Sequence, residues 1–462
     1  MPNNSFFGGV KIKNRISSFK SEEFFAPTFV SINLGRRENE GYVPTVSVGD
    51  TVKIGSQLGE AKGGSGCHVH SSVSGKVVKV ENGASPLGES VPVVTVQNDF
   101  LNSVRLDLFP ETRAIDVLNA EEMAERLRLA GVTDRDGEPV FERILRYTGK
   151  IKQIVINCID SDPHISVGRS FAFEHPKELI NGAKLLIKAF GARKAVFAFD
   201  ENGAKAEKVL SEQITDRALI DTVVLKAKYP QDDENLLVYS LFGKAVPAEK
   251  RVIEIGYAVF KAETAFNVFN AFATGMPVVN KLVSVGGDCV NAPRTVAVAV
   301  GTSYEELIIY CGGVKQRCNL LLNGGAMRGI EQRDISLGID KETDGVLAFF
   351  KSHNPQGSCI RCGRCVSACP MRLMPLYLAG KAAELKFEEC EDFGLKRCIE
   401  CGCCAYVCVG KVPLVSLIRR AKKVLENENR AEAEAEAKAA QKSAAETKVL
   451  DEEPSSVNAD GK

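Results

Sequence analysis

Eight of the fifteen cysteines fall into two runs with one spacing, C-x-x-C-x-x-C-x-x-x-C. The first run is Cys359, Cys362, Cys365 and Cys369, followed by Pro370; the second is Cys398, Cys401, Cys404 and Cys408. Three thiolates spaced this closely suit one iron–sulfur cube, and a fourth after a longer gap reaches a neighbouring cube. The spacing predicts one [4Fe–4S] cluster on Cys359, Cys362, Cys365 and Cys408, and a second on Cys398, Cys401, Cys404 and Cys369. Paired zinc knuckles or disulfides are the competing readings. Zinc sites need only C-x-x-C pairs and commonly use histidine; the nearby His353 lies outside both runs. Cys403, between two ligands of the second run, is expected to be dispensable. No catalytic residue is expected, because such clusters transfer electrons rather than make bonds.

Positive and negative side chains number 59 each among 462 residues, a balance that suggests neither nucleic acid nor an anionic membrane as partner. The length predicts about three or four domains. No stretch approaches the ~18 apolar residues of a spanning helix, and the start, MPNNSFFGGVKIK, lacks the apolar core of a signal peptide. Many cysteines without secretion signals argue for a reducing cytosol and metal ligation. The scattered Cys67, Cys158, Cys289, Cys311, Cys318 and Cys390 read as small buried thiols.

These ligands need elements to hold them. After an N-terminal segment, 1–27, residues 28–104 read as short strands with Gly-Asp and Ser-Gly turns, a small β-fold. Its pattern V-x-V-G-D-x-V-x-x-G-x-x-L-x-E…V-S-G-x-V resembles lipoyl and biotinyl carriers, which are barrel-sandwich hybrids. Lys62 lies near the tip where such carriers are modified, but without their flanking residues. His68 and His70 share one strand face and could bind a metal. Residues 105–250 alternate strand-like runs (KQIVINCID, KAVFAFD, DTVVLKA) with helical patterns, which implies a parallel sheet. Ligands of such sheets sit at the carboxyl ends of strands, here Asn157–Asp162, Asp200–Gly203 and Lys226–Gln231. Residues 251–340 return to strands, with one helix at Ser303–Cys311 capped by Thr302 or Ser303. Residues 341–425 form the cluster domain. It closes with an amphipathic basic helix, Leu414–Leu425, whose apolar stripe either packs on that domain or touches lipid or a partner. The Ala/Glu/Lys-rich stretch 426–462 cannot bury a core and reads as a disordered or solvated tail.

This order of elements resembles RnfC, the C subunit of the ion-translocating Rnf electron transport complexes. The resemblance is carried by FFGGVKI at 6–12, HVHSSVSGKV at 68–77, LKAKYPQ at 225–231, VGTSYEELI at 300–308, NGGAMRG at 323–329 and CIRCGRCVSACPMRLMP at 359–375. It implies a multidomain α/β chain: a barrel-sandwich hybrid, a Rossmann-like α/β domain similar to the flavin- and NADH-binding subunit of complex I, a β-grasp (SLBB-like) domain, and a two-cluster ferredoxin-like domain. It further implies an iron–sulfur electron-transfer subunit on the cytoplasmic face of a membrane complex. The partners implied are other Rnf subunits or a soluble redox enzyme, and ferredoxin.

One departure bears on the flavin. The family's glycine loop, G-x-G-G-A-G-F-P-T, appears here as VTDRDGEPVF, with Asp134, Asp136 and Glu138 in it. Like charges ~5 Å apart repel by ~3 kcal/mol at an effective dielectric of ~20, so three carboxylates should oppose a phosphate. The next family element, N-G-A-E-C-E-P, appears as Asn157-Cys158-Ile159-Asp160-Ser161-Asp162-Pro163. Asn157, Asp160 and Asp162 therefore read as a remnant of the nucleotide site, and FMN and NADH binding is expected to be weak or lost. The alternatives are a working FMN-dependent NADH:ferredoxin oxidoreductase subunit and a structural docking subunit.

Overall fold

The computed structural model describes residues 5–16, 18–23, 26–37, 40–105, 117–351 and 356–428. His353 and the tail beyond 428 lie outside them. The chain divides into two compact units, 1–353 and 354–462.

Within the first unit, alternating valines build a β-sandwich. One antiparallel sheet runs Phe29–Asn33, Ser90–Asn98, Gly75–Ala84, Thr51–Val52; the other runs Tyr42–Pro44, Gln57–Ala61, Val69–His70. Inward residues of both, including Val30, Ile32, Leu58, Val77 and Val94, form one apolar core, as period-2 patterning requires.

The α/β part centres on a four-stranded sheet in the order Ile220–Leu225, Lys194–Asp200, Gln153–Asn157, Tyr257–Lys261. Every pair is parallel. Near-continuous apolar runs such as Ile154–Ile156 and Ala195–Phe199 are buried on both faces, the mark of a helix-covered parallel sheet. The first covering helix, Ala120–Leu129, starts at a capping box between Asn119 and Glu122; Pro176–Phe190 starts on proline and ends at left-handed Gly191. These are ordinary helix start and stop signals. The sheet does not end at residue 250: its fourth strand, Tyr257–Lys261, and the following helix, Ala262–Ala273, pack back on it.

A mixed six-stranded sheet follows in the order Ser21–Glu23, Arg294–Ala299, Asn280–Gly286, Gly345–Phe349, Leu320–Asn323, Ile330–Gln332. Its helix, Tyr304–Tyr310, is capped by Ser303, whose hydroxyl accepts from the Glu306 amide.

The second unit holds the helices Arg364–Ala368, Pro375–Ala383 and Cys403–Tyr406, and a last helix over 414–428. Leu414, Ile418 and Ala421 of that helix are buried, with Leu417 and Leu425 packed beside them. The apolar stripe thus packs on its own unit. No helix among the described residues is long and apolar enough to cross a membrane.

Candidate cluster and cofactor sites

The two cysteine runs share a backbone path. Gly363 (φ 75°) and Gly402 (φ 81°) occupy equivalent places before the third cysteine of each run. Arg361 and Glu400, then Arg372 and Lys411, are matched pairs of left-handed residues at the same offsets. Each pair costs energy outside glycine, and the turns they make fold each loop around its sulfurs. Amides point at those sulfurs: Arg361 N lies 3.4 Å from Cys359 Sγ, and Leu373 N 3.4 Å from Cys369 Sγ.

Cys369 of the first run lines one cavity together with Cys398, Cys401 and Cys404 of the second. The cavity has about 420 Å³ of empty space and apolar walls that include Leu373, Leu378 and Ile418. Burial, with further upward pressure from neighbouring cysteines, pushes Cys398 up to about 11 and Cys404 up to about 12. Four crowded sulfurs in a dry cavity resist becoming thiolates on their own; a cationic cluster core removes that penalty, and its binding releases the protons. The donor set fits an iron–sulfur cube. In the other group, Cys365 is buried and packs in one small apolar cluster with Cys408 and Leu414, while Cys359 and Cys362 are exposed. The basic face of the last helix braces the second run: Arg419 (2.8 Å) and Lys422 (3.4 Å) pair with Glu400, and Lys422 also donates to the Cys398 carbonyl. Cys403 is fully buried on the wall of the cavity that Cys369 shares with the second run.

A further cavity, with about 560 Å³ of empty space, opens at the carboxyl ends of Gln153–Asn157 and Tyr257–Lys261, the expected position for a parallel sheet. Asn157, Asp160 and Asp162 all line it, each already engaged. Asn157 donates to the Asp232 carbonyl at 2.9 Å. Asp160 accepts from the Gly168 and Arg169 amides, both at 3.0 Å, and pairs with the Arg169 guanidinium. Asp162 accepts from the His164 and Met327 amides. Of the other strand ends, Asp200 instead caps its own turn at Gly203.

The acidic loop behaves differently from the expectation that it repels a phosphate. Asp134 is buried against Arg143 at 2.7 Å and accepts from the Lys261 amide and the Thr264 hydroxyl. Glu138 is held by Arg251 at 2.7 Å. Two of the three carboxylates are thus neutralised, and the loop residue that lines the cavity is Arg135.

Sequence reasoning missed Arg135, Lys261, Glu263 and Asp344, all on the cavity wall. Lys261 pairs with Asp344 at 2.9 Å, and the buried Lys281 lies 3.5 Å from both Asp344 and Glu263. Lys261 and Glu263 sit where a strand passes into a helix, a place the strand-end rule could have flagged; Asp344 carries no local signal. The His68–His70 pair lines a separate cavity. There Arg128 occupies His68 Nε2 at 3.0 Å, which leaves that nitrogen unavailable to a metal.

Three family models match. Residues 4–101 match the RnfC barrel-sandwich hybrid domain, 129–270 the Nuo51 FMN-binding domain, and 352–409 a 4Fe-4S dicluster domain. Among curated relatives, the chain is 28% identical over 410 residues to the C subunit of the Na(+)-translocating ferredoxin:NAD(+) oxidoreductase complex of Acetobacterium woodii, covering 87% of this chain and 92% of that one. It is 28% identical to the C subunit of the proton-translocating ferredoxin:NAD(+) oxidoreductase complex of Clostridium ljungdahlii, covering 84% and 85%. This chain is RnfC-like. The RnfC-like chain is also similar to a solved NAD+-reducing [NiFe]-hydrogenase, at 14% identity and a TM-score of 0.43, over 61% of this chain and 56% of that one. It is a multidomain α/β protein with a barrel-sandwich hybrid domain, an FMN-binding-type domain and a 4Fe-4S dicluster domain. The expected loss of the flavin gains no support, since the altered loop itself lies inside the matched FMN-binding domain.

Proposed function

We propose that this RnfC-like chain is the iron–sulfur electron-transfer subunit of an Rnf-type membrane complex. Cys359, Cys362, Cys365 and Cys408 hold one [4Fe–4S] cluster; Cys369, Cys398, Cys401 and Cys404 hold the other. The observation that carries this reading is the single cavity shared by Cys369 and three cysteines of the other run. When bound, such clusters accept and release one electron at a time. The chain's own residues set the conditions: apolar walls keep water from the second group, amides directed at sulfur stabilise the more negative state, and Glu400, braced by the last helix, fixes the loop between Cys398 and Cys401.

Other subunits of the complex and ferredoxin are the partners, and the chain associates peripherally with the inner face of the cell membrane. The relatives' names, C subunits of ion-translocating ferredoxin:NAD(+) oxidoreductase complexes, support the partners. The four-stranded parallel sheet reads as Rossmann-like and the six-stranded sheet with its capped helix as the β-grasp (SLBB-like) domain. The domains are taken as 28–104, 105–250, 251–340 and 341–425, with the strand after 250 shared across one boundary.

A second reading, a working flavin subunit, is favoured by the match over 129–270 and by the cations Arg135 and Lys261 on the wall of the α/β cavity. A bound FMN phosphate would have to share these two with Asp344, which pairs with Lys261, and with the Asp232 carbonyl, to which Arg135 donates. Bound FMN would supply the step from two-electron to one-electron chemistry.

The test is anaerobic purification of the full chain, followed by flavin and iron analysis and electron paramagnetic resonance. Iron and acid-labile sulfide sufficient for both cubes, reduced by dithionite but without flavin and without response to NADH, is the outcome for a pure relay. Stoichiometric FMN and cluster reduction by NADH alone establish the flavin subunit. Protein that carries zinc or no metal overturns both.

A further inference from the structure

The two cysteine runs share a backbone path but not an environment. At the first position after the leading cysteine, Ile399 lines the apolar cavity of the second run, whereas Ile360 is 66% exposed. One residue further on, Glu400 is held by Arg419 and Lys422 of the last helix, whereas Arg361 is exposed. The next cysteine follows the same rule: Cys401 is buried and Cys362 is exposed. Val415 and Ile418 of the last helix wall the second cavity. That helix covers one run and leaves its counterpart open. A one-electron carrier exchanges only where its own centre comes close, so the open run is the one within reach.

The open run is also one-sided in charge. Among the described residues of this unit, neither 356–383 nor 401–425 contains an aspartate or a glutamate; acidic side chains are confined to 384–400 and 426–428. Arg361 and Arg364 stand in the first acid-free stretch and Lys411 in the second, all exposed. The two stretches meet. The Gly357 amide donates to the Gly410 carbonyl at 3.0 Å, and a Cβ on Gly410 would stand 2.6 Å from the Ser358 carbonyl oxygen. Lys411 and the 47% exposed Val409 therefore flank the first run. Arg361, Arg364 and Lys411 form no ion pair among the described residues, whereas Lys381, Lys396 and Arg419 are matched by Glu389, Glu391 and Glu400. Unmatched cations around exposed apolar side chains fit a partner of opposite charge, and a face this small suits the weak encounters of electron carriers.

We propose that the face formed by Ile360, Val409, Arg361, Arg364 and Lys411 docks a one-electron carrier whose surface around its own redox centre is acidic. The proposal rests on the electron-transfer reading above. The reduced carrier gives up one electron to the chain across this face, with no bond formed or broken and no proton moved.

The test uses the full, cluster-loaded chain, kept anaerobic, and an acidic plant-type [2Fe–2S] ferredoxin as the probe. The dissociation constant is measured at about 0.01 M and about 0.15 M salt, between which the screening length falls from about 30 Å to about 8 Å. Binding should weaken as salt rises. Arg364→Glu should weaken it about tenfold or more at low salt, with iron content and reduction by dithionite unchanged. Lys423→Glu, the same charge change on the last helix, should weaken it less. Carbodiimide coupling of ferredoxin carboxylates to the unaltered chain should link Lys411, read by mass spectrometry. No saturable binding, equal losses in the two variants, or links found only at other lysines overturn the proposal, while cluster loading and dithionite reduction keep the electron-transfer reading. If Arg364→Glu fails to load its clusters, the Lys411 link in the unaltered chain decides alone. An unaltered chain that loads no cluster overturns that reading and the proposal with it.

Discussion

Arg143 is the side chain on which the acidic loop depends. It pairs with Asp134, donates to the Val259 carbonyl at 2.9 Å, and its guanidinium lies 4.2 Å from the centre of the Phe260 ring. Removing one partner of a buried pair leaves the other charge uncompensated, at about 3–5 kcal/mol. Arg143→Met should therefore lower the stability of the first unit by that amount, read as a shift in its urea unfolding midpoint. A loss below about 1 kcal/mol would mean the pair behaves as a surface contact. Glu263 gives a second residue-scale expectation. Burial pushes its carboxyl up to about 7, against Lys281 and with Asp344 adding to the rise. The unfolded chain releases this proton near about 4.3. Between those values the folded state holds more protons than the unfolded, so this group's contribution to stability falls as pH rises from about 4 to 7. Asp344 is half-buried, which pushes it up, but Lys261 and Lys281 outweigh that and hold it at about 2. Its contribution is constant above about 4 and is lost only as pH falls towards 2, so it does not blur the window. Glu263→Gln should gain stability relative to the unaltered chain between pH 5 and pH 8 (a range chosen around about 7); parallel stability profiles would refute the assignment.

Elements whose chemistry is local were readable in advance. Cluster ligands lie within one turn or loop of each other, so their spacing survives in the sequence, and the left-handed turns recur with it at Gly363 and Gly402. The strands Gln153–Asn157 and Lys194–Asp200 show as apolar runs because both faces of that sheet are covered, and the cap was visible as one of two neighbours, Thr302 or Ser303, of which the structure uses Ser303. Contacts made across distant segments were not readable. Arg143 and Arg251 come from helix and loop positions that no spacing ties to Asp134 and Glu138, so the loop read as a naked cluster of negative charge. The strand Ser21–Glu23 joins the six-stranded sheet through Thr295–Ala297, a pairing set by tertiary packing alone. The stripe on the last helix predicted amphipathicity but could not name its partner, which is the unit's own core. The two neighbouring cysteines Cys403 and Cys404 separate ligation from packing within one element. Cys404→Ser should remove about half of the iron and sulfide, because one of two cubes loses a ligand. Cys403→Ala should keep all of it at a packing cost of about 1 kcal/mol, since a small buried thiol becomes a smaller apolar group. Equal iron loss in the two variants, measured by metal analysis, would reassign the ligand.

At the scale of the whole chain, the two units differ in what stabilises them. The first has large apolar cores of its own, built from Leu127, Ile154, Phe190, Phe197, Phe260 and many others. The second is short, its described helices include runs of only four and five residues, and its core counts cysteines among its main members. Domains this small seldom bury enough apolar area to offset their conformational entropy and commonly depend on a bound metal. The cavity that Cys369 shares with the second run would also lose its central contents on demetallation, leaving crowded buried thiols around a void. Iron chelation under reducing conditions should therefore unfold 356–428 and leave the first unit intact. Limited proteolysis followed by mass spectrometry should release fragments from that segment while a core covering about the first 350 residues persists with its own cooperative melting transition. Persistence of an uncleaved 356–428 after complete iron removal would show that apolar packing alone holds the cluster unit. Loss of the first unit's transition together with the second would show that the two units fold as one.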